Sequence, residues 1–203
     1  MSARKNSSNG EPEESTRDRI LQAAVNVFAE KGYHGAGMSD IGQAANIQRG
    51  ALYYHIGSKE ELLYDLTRRH VEVALDAGRA AIEGLDDARD QFRALTQAHI
   101  RTLADRRADV TVAEREMHVL TGERAAALAK LRREYQDLFG EVINRGADQG
   151  VFSRPTLIDV MGVLGMLNYT HVWLDPHGSE PVEKVAERLS SLILDGLRVR
   201  VGE

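Results

Sequence analysis

Apolar residues recur along most of this chain with the spacing of amphipathic α-helices. In the first such stretch they fall at i, i+1, i+4, i+7 and i+8 and form one stripe on a helix: Ile20, Leu21, Ala24, Val27 and Phe28. Ser15 or Thr16 would cap this helix, and Gly32 would end it as the residue after the last turn. The pattern therefore predicts a first helix between these two boundaries.

Two shorter apolar-periodic pieces follow, and only residues 46–48 separate them. The first piece carries Ile41 on its apolar side, and the second carries Leu52 and Ile56. Asn46, in the connection, tolerates the left-handed backbone conformation that a sharp helix–helix turn needs. We therefore expect two short helices joined by a tight turn.

The rest of the chain continues the helical pattern. Ser58 and Glu61 form a capping box, which would open a long helix that runs to about Glu83. Further helices are expected at about 88–104, 109–117, 122–149, 156–174 and 181–199, and Gly and Pro residues separate the last three. No segment alternates in the manner of a β-strand and no internal repeat is visible, so the predicted fold class is all-α.

Composition and charge narrow the range of functions. The 203 residues carry a net charge of -5, which excludes a generally basic coat for nucleic acid. The charge is uneven, because residues 15–69 hold seven Lys and Arg against six Asp and Glu, whereas residues 70–203 hold seventeen against twenty-two. A local DNA site in the first third therefore remains open. The absence of cysteine excludes disulfides and thiolate metal sites.

Residues 1–14 are polar and rich in Gly, Pro, Ser and charge, so we expect a disordered tail. They contain no apolar segment of the signal-peptide type. No apolar run in the chain approaches the length of a membrane span. These observations predict a cytoplasmic protein with no membrane partner.

The stretch "RGALYYHI", residues 49–56, has one apolar side and one unusual side. On a helical wheel Leu52 and Ile56 fall together and define the buried side. The opposite side carries the small residues Gly50 and Ala51 in its first half and the aromatic Tyr54 in its second half. Tyr53 and His55 flank the boundary between the two sides. Small residues allow the backbone to approach another surface, and phenol and imidazole groups can donate to phosphate oxygens. Arg49, at the start of the helix, can read a guanine edge.

Lys59 would lie in the first turn of the next helix, where an ammonium group and free N–H groups together favour an anion. This arrangement predicts the second helix of a helix-turn-helix, seated in a major groove and held by phosphate contacts. A generic helical hairpin is the alternative. We expect Tyr53 to be a packing residue whose hydroxyl can reach a phosphate.

The segments "TRDRILQAAVNVFAEKGYHG" and "DIGQAANIQRGALYYHIGSKEELL" resemble the DNA-binding domain of the TetR family of bacterial one-component transcriptional regulators. The resemblance spans about residues 16–66. The chain departs from the family pattern at helix caps, at the turn and at packing positions: Gly37, Gly42, Asn46, Gln48 and Ile56. Gln48 replaces a serine cap and would extend a long side chain toward DNA.

The resemblance implies an N-terminal three-helix helix-turn-helix domain over 15–61 and a helical ligand-binding and dimerisation domain over 62–203. It implies contacts to double-stranded operator DNA from the turn, the second helix and the start of the next: Gln48, Arg49, Gly50, Ala51, Tyr53, Tyr54, His55 and Lys59. We expect Arg49 and Tyr54 to face base edges, and His55 and Lys59 to contact phosphates.

The last two predicted helices suit a homodimer. Residues 156–174 are apolar on nearly every side, so this helix must be covered all round. The final helix has one apolar stripe. The expected dimer-interface residues lie on these two helices: Leu164, Leu189, Leu192, Ile193 and Leu197.

A ligand pocket is expected among the helices after Leu85. Its candidate lining residues are apolar, aromatic or histidine: Phe92, Leu95, His99, Leu103, Met117, Leu120, Leu131, Tyr135, Leu138, Phe139, Met166, Tyr169 and Trp173. Such residues suit a large, mostly apolar ligand. Ordinary core packing is the competing interpretation for each. Residues 123–152 with "HVWLDPHG" are similar to family members that sense acyl or steroid-like thioesters.

Other chemistries leave little trace in the sequence. Glu114 and His118 lie at i and i+4, and His171 and His177 flank Asp175, but third and fourth metal ligands are not evident. No phosphate loop, nucleophile elbow or HExxH motif is present, so we expect no catalytic residue, metal or cofactor. A helical enzyme and a metal-sensing repressor remain alternatives. The expected function is a sequence-specific repressor that a small, largely apolar ligand releases from a palindromic operator.

Overall fold

The computed structural model describes residues 15–197, so the predicted tail over 1–14 lies outside them. Within this range the chain is all-α, as predicted, and contains no β-strand. The helices are α1 (Thr16–Gly35), α2 (Met38–Ala44), α3 (Arg49–His55), α4 (Lys59–Ile82), α5 (Ala88–Asp105), α6 (Arg107–Glu116), α7 (Gly122–Asp148), α8 (Leu157–Asn168), α9 (Thr170–Trp173) and α10 (Val182–Leu197). A 3-10 turn, Met117–Val119, lies between α6 and α7.

Two compact units divide between Leu62 and Leu63. In the first, α1, α2, α3 and the start of α4 bury Leu62 together with apolar residues that the periodicity singled out, namely Ile20, Phe28, Ile41, Leu52 and Ile56. Ser15 caps α1, since its side chain accepts the Asp18 N–H. Gly32 interrupts α1 with a φ of 72°, in the region that glycine adopts most readily.

The turn between α2 and α3 brings two helices close together. Asn46 has a φ of 54°, the left-handed conformation expected of it. The Ile47 N–H then donates to the Gly42 carbonyl at 2.9 Å. A Cβ at Gly42 would lie 3.2 Å from the Ile47 oxygen and 3.4 Å from Leu52, which is tight packing. The glycine at this position therefore suits the close approach of the turn.

The second unit has one continuous core that α5, α7, α8 and α10 share. Its centre is aromatic, with the rings of Phe92 and Phe139 edge to face and their centroids 6.4 Å apart. Helix α8 contributes a stripe at i, i+3, i+4 and i+7, namely Val160, Val163, Leu164 and Leu167. No helix in the described range is long and apolar enough to cross a membrane.

Two of the residues expected at a dimer interface belong to this core instead. Leu164 is 7% exposed and Ile193 is 6% exposed within the single protomer. Leu189 and Leu197 are partly buried against the same core, whereas Leu192 is exposed. The sequence alone could not assign the sides of an all-round apolar helix, because every side is apolar and only packing decides which one faces inward.

The helix predicted over 156–174 is in fact two helices, α8 and α9. At their junction the Thr170 hydroxyl donates to the Leu167 carbonyl at 2.7 Å. The Nδ1 atom of His171 lies 2.7 Å from the Asn168 carbonyl oxygen. Side chains that bond to nearby carbonyls compete with the helical backbone ladder, and this accounts for the break. The predicted final helix is present as α10, and its last residues lie outside the described range.

Gly146 provides a stability test of the core. After α7, Gly150 turns the chain with a φ of 71°, and the N–H groups of Val151 and Phe152 donate to the Gly146 carbonyl. The buried Phe152 ring then covers Gly146 so closely that an added Cβ would overlap it. We expect Gly146→Ala to lower the free energy of unfolding by about 1–3 kcal/mol through overpacking.

Gly140→Ala is the matched control on the same helix, because its Cβ would meet nothing closer than 3.9 Å. It should be neutral or raise stability by up to about 1 kcal/mol. Denaturant unfolding of both variants measures the difference. Equal stability of the two variants would contradict the packing described for Phe152.

Candidate DNA-binding surface and ligand cavity

Helix α3 presents a free outer face while its inner face is fully buried. Leu52 is 1% exposed and Ile56, which caps the helix, is 0% exposed. On the other side Tyr54 is 86% exposed and Tyr53 is 43% exposed. Gln48, Arg49, Gly50 and Ala51 are also exposed. The predicted DNA-contacting residues of this helix therefore share one accessible surface, which we call the α3 face.

Stacking contacts organise the α3 face. The guanidinium carbon of Arg49 lies 5.8 Å from the centre of the Tyr53 ring, a cation–π distance. The rings of Tyr54 and His55 meet edge to face at 5.2 Å. No atom lies within 4 Å of a Cβ built on Gly50, so the helix start has open space before it. The surface thus combines one cation, aromatic hydroxyls and a close-approach point, which suits a DNA groove.

The C-terminal end of α3 is tied to the rest of its unit. Arg17 on α1 donates to the His55 carbonyl at 2.8 Å, and it pairs with Glu61 at 3.4 Å. One bond of the predicted capping box is present, because the Ser58 hydroxyl accepts the Glu61 N–H at 3.0 Å. The Glu61 carboxylate accepts the N–H of Gly57, one residue before the predicted donor. These bonds fix the angle at which α3 leaves the core.

Lys59 has a structural role that the sequence did not suggest. Its ammonium group donates to the carbonyl oxygens of Tyr33 at 2.8 Å and Ala36 at 2.9 Å. It also lies 4.4 Å from the centre of the Tyr33 ring. Lys59 therefore closes the loop between α1 and α2. A phosphate contact from this group stays a prediction, and it would have to share an ammonium that is already bonded twice.

The second unit contains a cavity of about 230 Å³ between α4, α5, α6, α7 and α8. Four of the predicted pocket residues line it, namely His99, Leu103, Met117 and Tyr135. Other predicted residues are buried or partly buried away from its walls: Phe92, Leu95, Leu120, Leu131, Leu138 and Phe139. Met166, Tyr169 and Trp173 are exposed, and Trp173 lines a separate surface groove with residues of α10.

Part of the cavity wall lies outside the region after Leu85 in which the sequence predicts the pocket. Helix α4 contributes Thr67, His70, Val71 and Ala74. Their spacing of i, i+3, i+4 and i+7 is a helical stripe with one histidine in it, and this signal is present in the sequence. Arg132, Asn168 and His171 add polar groups from α7, α8 and α9.

His99 and Tyr135 form the polar centre of the cavity. The Nδ1 atom of His99 lies 2.6 Å from the Tyr135 hydroxyl, and the two rings stack at 5.7 Å. Burial lowers the pKa of His99 to about 3, and nearby His70 acts in the same direction. The Asn168 side chain opposes this lowering of the pKa, but it makes no hydrogen bond of normal geometry to Nε2. Burial also raises the pKa of Tyr135, so both groups are neutral.

His70 is the second histidine of the cavity. Burial lowers its pKa to about 4, Asp109 opposes this effect, and Arg106 and Arg132 reinforce it. Asp109 is itself paired with Arg106 at 2.5 Å. Arg132 lies 3.8 Å from Glu114 at the rim. Within residues 15–197, no three His, Asp or Glu side chains are grouped as a metal site would require.

A set of large apolar side chains on the last three helices is exposed. They are Leu157, Ile158, Met161, Met166, Tyr169, Val172, Trp173 and Leu192. We call them the exposed apolar set. The most exposed members on α8 and α10 are Ile158 at 81%, Leu157 at 68% and Leu192 at 60%. Large apolar side chains are more often buried than exposed, so the exposed apolar set is a candidate interaction surface.

Comparison with known proteins identifies the family. The family model described as bacterial regulatory proteins, tetR family, matches residues 20–66. The model described as the tetracyclin repressor-like C-terminal domain matches residues 85–197. The chain is 30% identical over 186 residues to the HTH-type transcriptional repressor KstR2 of Rhodococcus jostii (strain RHA1), with 89% of this chain and 90% of KstR2 covered.

Solved structures agree with this match. The TetR family transcriptional regulator PfmR from Thermus thermophilus has a TM-score of 0.82 at 32% identity, with 90% of this chain and 100% of PfmR covered. The fatty acid degradation regulator FadR from Bacillus halodurans has a TM-score of 0.78 at 25% identity, with 94% and 100% covered. The chain belongs to the TetR family of transcriptional regulators. It is therefore a DNA-binding regulator and not an enzyme, as the sequence predicted.

The bonds of Lys59 lead to a test of its role. Replacing it in Lys59→Met removes two charge-assisted hydrogen bonds and should lower the free energy of unfolding by about 1–3 kcal/mol. Urea unfolding followed by circular dichroism measures this loss, and Lys130→Met, at an exposed site on α7, is the control. If Lys59 were chiefly a phosphate ligand, stability would be unchanged and the salt dependence of DNA binding would fall by about one unit of slope.

Proposed function

We propose that the protein is a repressor that binds a palindromic operator as a homodimer through the α3 face and is released when a small, largely apolar ligand enters the cavity. In this proposal residues 15–61 are the DNA-binding domain and residues 62–203 bind ligand and form the dimer. The observation that carries it is the α3 face, on which Tyr54 is 86% exposed, on a helix whose other side is fully buried. The repressor KstR2, at 30% identity, supports repression as the direction of control.

In this proposal each residue of the α3 face has its own role in DNA binding. Gly50 and Ala51 let the helix start approach the base pairs, and Arg49 and Tyr54 face base edges. Gln48, which caps α3 without a side-chain hydrogen bond, can extend to the same edges. Tyr53 and His55 flank the residues that face the base edges, and they reach sugars and phosphates of the DNA backbone. Base contacts specify sequence, whereas phosphate contacts fix orientation.

The dimer in this proposal uses the exposed apolar set. One helix-turn-helix reads few base pairs, so useful specificity needs two reading helices about 34–36 Å apart, one turn of DNA. Family members typically form dimers. Burying Ile158, Leu157 and Leu192 against a second copy would remove their apolar surface from water. Leu164, by contrast, supports the interface from behind, within its own protomer.

The ligand in this proposal enters the cavity that α4, α5, α6, α7 and α8 line. Its walls combine apolar side chains such as Val71, Leu103 and Leu164 with polar groups that could orient a small molecule. FadR of Bacillus halodurans, at 25% identity, is a fatty acid degradation regulator. Together with the resemblance of residues 123–152, this supports an acyl or steroid-like thioester as the effector in our proposal. The ligand releases DNA only insofar as it binds the DNA-competent and incompetent conformations unequally.

Arg49→Ala tests the DNA-binding part of the proposal. A specific side chain–base contact is worth about 1–3 kcal/mol of discrimination, so the variant should lose preference at particular base pairs. Binding to a panel of single-base operator variants measures this change. Arg93→Ala, at an exposed site on α5, is the control and should keep the full preference. An unchanged base preference in Arg49→Ala would show that Arg49 is not a reader.

Ile158→Arg tests the dimer. Ile158 is 81% exposed, so the change should leave the protomer folded but place an unpaired charge in the interface. Such a charge costs several kcal/mol, and light scattering should show a monomer with an unchanged helical circular dichroism spectrum. Gln97→Arg, at an exposed site on α5, is the control, and this variant should stay dimeric. A dimeric Ile158→Arg protein would place the interface elsewhere.

A further inference from the structure

One buried nitrogen in the cavity has no hydrogen-bond partner among the described residues. His99 is 3% exposed and lines the cavity, and its Nδ1 atom contacts the Tyr135 hydroxyl. The other ring nitrogen, Nε2, is buried and unpartnered. A buried polar atom without a partner costs about 1–3 kcal/mol, so this nitrogen is a position that a bound molecule would satisfy.

The Tyr135 hydroxyl sets the tautomer of His99 if it donates to Nδ1. Burial raises the pKa of this phenol, so its hydroxyl stays protonated and is available as a donor. A neutral imidazole has one donor and one acceptor nitrogen. When Tyr135 donates to Nδ1, the proton of the ring lies on Nε2. The unpartnered atom is then an N–H donor and needs an acceptor oxygen.

His70 adds a second unpartnered nitrogen to the same cavity. Its Nδ1 atom is buried and makes no hydrogen bond within the described residues. It comes from α4, whereas His99 comes from α5, and His70 lies close enough to lower the pKa of His99. The two histidines thus supply the cavity with two neutral polar groups alongside its apolar side chains.

The neutral state of both rings selects against a charged ligand group. Burial lowers the pKa of each histidine well below its ordinary value, so neither supplies a positive charge near neutral pH. A carboxylate placed against the two rings would lose its hydration without gaining an ion pair from either ring, and such a loss is costly. The charged residues of the cavity wall are Glu114, Arg132 and Arg133, and Glu114 lies 3.8 Å from Arg132. A carboxylate would therefore find its cations at the two arginines and not at the two histidines.

We propose that His99 and His70 form a subsite for an uncharged oxygen, a carbonyl or a hydroxyl, of an otherwise apolar ligand, with Tyr135 as the positioning residue that fixes the tautomer of His99. This inference rests on the proposed function, because it specifies the chemistry of the effector in the same cavity. It excludes a free carboxylate at this subsite.

Three probes of equal chain length test the charge requirement, namely 2-decanone, 2-decanol and decanoic acid. Titration calorimetry with the full-length protein at pH 7.5 should show the ketone and the alcohol binding at least about tenfold more tightly than the acid. A preference for the ketone would identify His70 Nδ1 as a donor, and a preference for the alcohol would identify it as an acceptor. Both results support the subsite. Equal or tighter binding of decanoic acid, or no binding of any probe, would overturn it.

Nitrogen-15 NMR of the unmodified protein reads the subsite directly. The His99 ring should be neutral with its proton on Nε2, and the Nε2 resonance should shift when 2-decanone is added. Tyr135→Phe should move the tautomer toward Nδ1–H, which loss of packing alone would not do. An Nε2 resonance that does not respond to the ketone would overturn the proposal even if no variant folds.

Variants measure the contribution of each group. Since one buried hydrogen bond is worth about 1 kcal/mol, His99→Leu and Tyr135→Phe should each weaken 2-decanone binding about three- to tenfold. His118→Gln, at an exposed site on the 3-10 turn, should bind as the parent does. Unweakened binding in folded His99→Leu would contradict the subsite.

A separate measurement distinguishes the subsite from the proposed function. Fluorescence anisotropy with a duplex that the protein has selected from random DNA reports release by 2-decanone. If binding depends on His99 but DNA is not released, the subsite stands and ligand-induced release is wrong. If 2-decanone releases DNA equally from the parent and from His99→Leu, release stands and the subsite is wrong.

Discussion

The structure depends first on the burial of Leu52 and Ile56 against the core of the N-terminal unit. Helix α3 has only seven residues, and an isolated helix shorter than about 12–15 residues is marginal in water. It forms because these two side chains are excluded from solvent and because Arg17 holds its last carbonyl. Residues on the outer face contribute little to this anchoring. They are therefore free to serve DNA recognition.

The sequence predicted the helices and the α3 face well because both depend on local signals. Ser15, Asn46 and Ser58 act within a few residues of their own position, and helical periodicity separates Leu52 from Tyr54 without knowledge of the fold. The bonds of Lys59 could not be foreseen in this way. Its acceptors, the carbonyls of Tyr33 and Ala36, lie more than twenty residues away along the chain.

Helix α8 shows where hydropathy fails. All of its sides are apolar, so sequence alone places Leu164 at the dimer interface, whereas packing places it in the core and beside the cavity. The same ambiguity hides the break at Tyr169, which depends on side-chain hydrogen bonds of Thr170 and His171. The α4 wall of the cavity escapes sequence reasoning for a different reason. The apolar stripe of α4 is visible in the sequence. However, α4 begins in the DNA-binding domain, and periodicity alone does not show that its later turns line a cavity of the second domain.

Two helices connect the proposed activities. Helix α4 begins at Lys59, which closes the loop before α2, and its middle carries the cavity residues Thr67, His70 and Val71. Helix α8 lines the cavity with Leu164 and carries the exposed Ile158 on another side. A ligand in the cavity thus touches the helix that leads to the DNA-binding unit and the helix that carries the apolar surface of the proposed dimer.

The most direct test of the account is selection of bound sequences from random duplex DNA by the purified full-length protein. The account predicts enrichment of a palindrome whose half-sites are about 34–36 Å apart, one turn of DNA, with binding well above that of unselected duplex. Absence of any enriched sequence would contradict sequence-specific recognition by α3. Enrichment of a single half-site, bound as tightly as a palindrome, would contradict the dimer on which the account depends.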